Sequence, residues 1–205
     1  MPNHTIRRAI SRLFSKRNEQ EPLPEPTDAA LLEEVKGYGA IIGTHIPFFN
    51  KLSIEDKQRF LARVYHFKAS KNFYYQGMAE NPDIPVLISA AAVQLTFGLE
   101  KYKLTYFKDF YVLHDAYAIP EYPGLYIGHV APKGVYISWK HFLEGYKNDQ
   151  DNVNVAIHEL AHALEYENFL SGINIDWDFR KADLPAWICL HKHAGVLGGN
   201  SGSVF

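Results

Sequence analysis

The spacing of apolar positions changes near residue 100. Before that point they recur three and four apart. Phe60, Leu61, Val64 and Phe67 make one stripe, and Leu87, Ile88, Ala91, Ala92 and Leu95 make another, the period that gathers side chains on one face of a helix. Ser53 precedes the first stripe, where its hydroxyl can accept from first-turn amides, and Glu55 and Asp56 sit favourably against the helix dipole. The second stripe lies in an uncharged run and reads as a long buried helix over 83–99, whose alanines let another helix approach. A shorter helix is expected from a cap at Thr27 or Asp28 through Lys36, with Gly37 and Gly39 as its stop. Residues 71–76, rich in aromatics and closed by Gly77, read as extended.

From 103 to 138 the chain turns to β-branched and aromatic residues punctuated by Pro120, Pro123, Gly124, Gly128, Pro132 and Gly134, which predicts several short strands. A last helix, capped by Asp151 or Asn152, is expected to run to about Asn168. Helices segregated from a run of strands indicate an α+β domain. At the ends the periodicity fails. Residues 18–27 are rich in Glu and contain Pro22, Pro24 and Pro26, the composition of a linker. Residues 195–205 are rich in Gly and Ser and should be flexible. The expected organisation is a basic segment and linker over 1–27, a folded domain over 28–182 and a divergent tail over 183–205.

Composition narrows the function. At 205 residues and 47% apolar content the chain can bury a substantial single core. A net charge of −2 gives no footprint for nucleic acid. Cys189 is the lone cysteine, which excludes an internal disulfide framework and a thiolate zinc cluster built from this chain. The longest uncharged stretch, 84–99, is shorter than the roughly 20 residues of a bilayer crossing, so no membrane span is expected. Residues 6–17 form a basic amphipathic stretch that could lie on an anionic membrane surface, though a solvated helix is the plainer reading. They lack the apolar run and cleavage site of a secretory signal, and a cytoplasmic location is expected.

The chemistry concentrates in His158-Glu159-Leu160-Ala161-His162. Two histidines four apart on a helix project from one face about 6 Å apart along the axis, suited to one tetrahedral Zn²⁺. Glu159 lies about 100° round from His158 and can serve as general base toward a water activated by the metal. Such a pattern arises by chance in roughly a few per cent of chains of this length and composition. The flanks argue against chance, because Val155, Ala156, Ile157, Leu160, Ala161, Ala163 and Leu164 make the helix largely apolar, and ionisable groups set into it need a partner.

The resemblance extends beyond this motif. Residues 48–67, with Leu52-Ser53 and Phe60-Leu61, followed by Lys71-Asn72-Phe73, resemble the N-terminal part of the MtfA family of bacterial zinc peptidases, related to the Mlc titration factor. Gly134-Val135-Tyr136-Ile137-Ser138-Trp139 and the stretch from Asn154 to His162 resemble that family's strand-then-helix core. The resemblance implies a zincin-like (gluzincin) fold with the active-site helix beside a small mixed sheet, Zn²⁺ as cofactor, His158 and His162 as ligands, Glu159 as base, and a peptide or protein as substrate. It also implies a third ligand, a glutamate on a later helix. That glutamate has no counterpart here, since Glu167 is the last in the sequence. A truncated or divergent C-terminus beginning after Arg180 is therefore expected, leaving His191, His193 or water for the third position.

Glu165 shares a face with His158 but lies about 10 Å further along the axis, so a supporting or solvated role is expected for it. His114, His129 and His141 lack ligand spacing and read as surface or satisfied histidines. In the implied fold an edge strand near the metal pairs with the substrate backbone. Residues 135–139 alternate as such a strand would, and equally as an ordinary core strand. The alternative function is a catalytically impaired metal-binding homologue whose partner is a transcriptional regulator.

Overall fold

The computed structural model describes residues 29–120, 122–147, 154–170 and 196–197. Helices α1 (Ala29–His45), α2 (Pro47–Asn50) and α3 (Ile54–Ala69) lead into strand β1 (Asn72–Gln76), and α4 (Asp83–Thr96) follows. Five strands come next: β2 (Asp109–Leu113), β3 (Tyr117–Ile119), β4 (Tyr122–Tyr126), β5 (Gly128–Ala131) and β6 (Gly134–Ser138). Then come α5 (Trp139–Lys147), α6 (Val155–Glu165), a π-helical turn (Tyr166–Leu170) and the two-residue β7 (Val196–Leu197). Most helices are separated from the run of strands, as the pattern predicts.

The main sheet is mixed, in the order β1-β2-β6-β5. β1 and β6 lie parallel to β2, and β5 lies antiparallel to β6. Its inner face buries Phe110, Val112, Val135 and Ile137 completely, which accounts for the alternation of apolar residues in β2 and β6. β6 is thus an internal strand, and the edge nearest the motif helix is β5. β3 and β4 form a hairpin, and Tyr126 and Leu125 of β4 also pair with Val196 and Leu197. Those two residues fall within the tail expected to be flexible, where an adjacent apolar pair suffices to extend the hairpin sheet. Residues 1–27, and the rest of the span 183–205, lie outside the described residues.

The helices pack on the inner face of the sheet around α4, which touches α1, α3 and α6. Ala90, Ala91 and Ala92 are fully buried there, so α4's neighbours come close. Ser53 caps α3 as predicted, accepting from the Asp56 amide at 3.1 Å. Phe60 lies fully buried against Phe48, Phe49 and Phe97, and each such ring contributes about 2 kcal/mol through burial. α1 does not stop at Gly37 and Gly39 but continues to His45. Tyr38 and Ile42, either side of Gly39, are buried in the core, and that burial outweighs the roughly 1 kcal/mol that a helical glycine costs.

Residues 97–108 form an inward loop whose carbonyls need donors. Arg63 donates to Phe97 O at 3.2 Å and Leu99 O at 2.9 Å, and Lys71 Nζ donates to Leu104 O at 2.6 Å and Phe107 O at 2.7 Å. Glu167, on the π-helical turn, accepts from Tyr106 N at 2.5 Å and Thr105 Oγ1 at 3.2 Å. This network fastens the far end of the motif helix to the body of the domain.

Candidate metal centre

α6 begins at Asn154, whose Oδ1 accepts from Ala156 N at 3.0 Å and Ile157 N at 3.2 Å. The cap is therefore Asn154, which stands directly before the first helical residue, while Asp151 and Asn152 lie outside the described residues. Val155, Ala156, Leu160, Ala163 and Leu164 are buried where α6 packs on α4, α5, β5 and β6. His158, His162 and Glu165 lie on a half-open stripe of the same helix.

The two histidines converge. Their Nε2 atoms are 3.0 Å apart, with the rings at 88° to one another. Two imidazole nitrogens on one tetrahedral zinc lie about 3.3 Å apart, so the observed spacing suits two ligands of a single ion. On its other side, His162 presents Nδ1 to Glu165 Oε2 at 3.7 Å. A carboxylate beside the second nitrogen of an imidazole can orient the ring.

Glu159 points inward, 3% exposed, and makes no hydrogen bond among the described residues. Burial pushes its carboxyl up to about 8. Gly128 of β5 lies directly against it: a Cβ at that position would stand 2.6 Å from Glu159 Cγ and 3.0 Å from its Oε1. The absence of a side chain at Gly128 is what lets the edge strand lie beside the carboxylate. Tyr117 of β3 also senses Glu159. Burial first, and then the charge of Glu159, raise the pKa of its phenol. The Tyr117 hydroxyl is 2.6 Å from His129 Nδ1, and burial lowers the pKa of His129.

His158, Glu159 and His162 are thus brought together with one residue that spacing did not mark, Gly128. It lies far upstream and reaches the centre only through the sheet. His129 is a satisfied histidine, and so is His141, which is bonded to Ser138 Oγ at 2.8 Å, while His114 is exposed. Among the described residues no third His, Cys, Asp or Glu joins His158 and His162 in a metal-sized cluster. His191 and His193 lie outside the described residues.

The family described as glucose-regulated metallo-peptidase M90 matches residues 21–171, a span that holds every element from α1 through the π-helical turn. The chain belongs to this family. No curated protein matches it. Membership in M90 makes metallopeptidase the activity class, with a metal cofactor and peptides or proteins as substrates. No helix among the described residues of this M90 chain is long and apolar enough to cross a membrane.

Proposed function

We propose that this M90 chain is a zinc-dependent peptidase of the zincin type, in which His158 and His162 hold the metal and Glu159 is the general base. The convergence of the two Nε2 atoms at 3.0 Å, one residue from a buried carboxylate, carries the reading. Two neutral imidazoles are a donor set that suits zinc. The remaining coordination is supplied by water or by His191 or His193.

Zinc held by His158 and His162 would supply Lewis acidity and a positive charge that favours the ionised form of Glu159. Glu159 takes the proton of the attacking water and returns it to the departing amine. Glu165 steadies His162 through Nδ1. β5, unpaired on its outer side among the described residues, offers its backbone to an extended substrate as an added strand.

The test is zinc content by atomic absorption together with cleavage of fluorogenic peptides, using Glu159→Gln as control. About one zinc per chain and cleavage that is lost in the variant are expected. Full activity in Glu159→Gln would sink the assigned mechanism. Stoichiometric zinc with no cleavage of any peptide would instead favour the regulator-binding alternative, which no feature of the described residues favours over hydrolysis.

A further inference from the structure

At the end of the main sheet away from the metal helix, β1 is an edge, pairing only with β2 among the described residues. Its backbone groups fall into two sets. Asn72 N donates to Lys108 O at 2.9 Å, and Gln76 O accepts from His114 N at 3.3 Å. By the alternation of a parallel ladder, residues 72, 74 and 76 bond to β2, while the amides and carbonyls of Phe73 and Tyr75 point away from the sheet. Edge strands are ordinarily guarded by a charge, a proline or a bulge. Asn72-Phe73-Tyr74-Tyr75-Gln76 carries no charge and no proline, and its register with β2 is unbroken. Lys71, just before it, is turned inward to Leu104 O and Phe107 O.

On the outer face this strand ends a ladder of rings. His129 stacks on Tyr136 at 4.1 Å and 14°, Tyr136 on Tyr111 at 4.5 Å and 11°, and Tyr111 on Tyr74 at 5.1 Å and 22°. The four residues stand in register across β5, β6, β2 and β1. Tyr74 is 45% exposed, and among the described residues no further ring covers its other side. The inner face is open as well. Phe73 lines a hollow of about 390 Å³ together with Glu34, Tyr38, Tyr65 and Lys68, which leaves room for another aromatic side chain beside it.

We propose that β1 is the interface between two copies of this chain, paired antiparallel about a two-fold axis at Tyr74. That register pairs the whole strand with itself. Tyr74 faces the partner's Tyr74, Phe73 faces the partner's Tyr75, and Asn72 faces the partner's Gln76, so that ring meets ring on both faces, amide meets amide and no like charges are opposed. It also suits the backbone. Phe73 and Tyr75, whose groups point outward, fall in the pairs that exchange hydrogen bonds, and Tyr74 falls in the pair without them, where side chains come closest. The partner's Tyr75 enters the hollow that Phe73 lines. The contact is isologous and closed, and it doubles the sheet with a β5 strand at each outer edge, which leaves both metal centres clear of the interface. Five paired residues bury less than the roughly 800 Å² per partner of a standard interface, so the dimer forms in the micromolar range. The inference is independent of the peptidase reading.

The test is sedimentation velocity of the full chain from about 1 to about 200 µM, wild type beside Tyr74→Phe and Tyr74→Lys, with melting temperature measured alongside. Wild type and Tyr74→Phe should pass from one chain toward two as concentration rises. Tyr74→Lys sets two like charges against each other at the axis, and it should stay a single chain at the highest concentration. Its melting temperature should remain close to wild type, because the side chain it replaces is exposed. The register is read by disulfide formation in air on a Cys189→Ser background. Tyr74→Cys should crosslink, since opposite residues of a pair without hydrogen bonds lie about 4.5 Å apart at Cα. Asn72→Cys, about 13 Å from its copy, should not. A wild type that stays a single chain at every concentration overturns the proposal and leaves the edge to another occupant, such as a further segment of this chain. A dimer that folded Tyr74→Lys retains overturns it too, as does crosslinking of Asn72→Cys in preference to Tyr74→Cys.

Discussion

Glu159 and Glu167 lie eight residues apart on one continuous helical segment, both buried, and the fold treats them in opposite ways. Glu167 accepts from Tyr106 N and Thr105 Oγ1, and its charge acts on Lys71. Glu159 makes no hydrogen bond among the described residues, and burial pushes it up to about 8. Burying a carboxylate without donors costs several kcal/mol. Glu167 finds its donors in the chain and stabilises the loop over 97–108. Glu159 has no such donor among the described residues, as suits a group kept for a metal or a substrate. A buried charge whose partners belong to the fold is structural, and one whose partners lie outside it is kept for chemistry.

The sharpest way to break this contrast is to remove the metal. His158→Ala should lower zinc affinity by more than about 100-fold, since it deletes a direct ligand where even an outer partner is worth 10- to 100-fold. Its melting temperature without metal should stay near that of wild type, because the His158 side chain is only half-buried. Calorimetric zinc titration and a thermal melt check both.

The structural half of the comparison is read through pH. Burial first lowers the pKa of Lys71, to about 8, with the charge of Glu167 opposing it. A folded pKa below the unfolded value of about 10.4 means that the folded state binds fewer protons between those values. Stability should therefore rise with pH across that window, by up to about 3 kcal/mol relative to Lys71→Met, and fall away again as pH drops through 8. Chemical denaturation of the two proteins at pH 7, 9 and 10.5 would show it, and parallel curves would contradict it. Glu167→Gln should cost about 2 kcal/mol by weakening two partly buried hydrogen bonds, read as a lowered denaturation midpoint.

The smallest effect belongs to the edge strand. Gly128→Ala puts a methyl group where Glu159 Cγ would be 2.6 Å away, so the carboxylate must shift. A loss of about tenfold in kcat is expected, consistent with a small misplacement of a catalytic group, with zinc content unchanged. An unaltered rate would mean that the position of Glu159 tolerates that shift.

What was legible in the sequence follows from how local each feature is. Ser53 before its stripe, the uncharged run of α4 and the histidine pair four apart each carry their signal within one element. The extension of α1 past Gly37 and Gly39 was not legible, because the burial of Tyr38 and Ile42 that sustains it is tertiary. The contribution of Gly128 was hidden for the same reason. It is an ordinary residue until β5 is laid beside α6. The role of Glu167 was likewise invisible, since its donors at Thr105 and Tyr106 lie across the domain.

The measurement that tests the central claim most directly is kcat on one fluorogenic peptide for zinc-loaded Glu159→Gln and Glu167→Gln, side by side. Loss of the general base should lower the rate of the first by about 10³-fold, while the second, once folded and loaded, should turn over at close to the wild-type rate. Equal rates in the two variants would contradict the assignment of Glu159 to chemistry and Glu167 to structure.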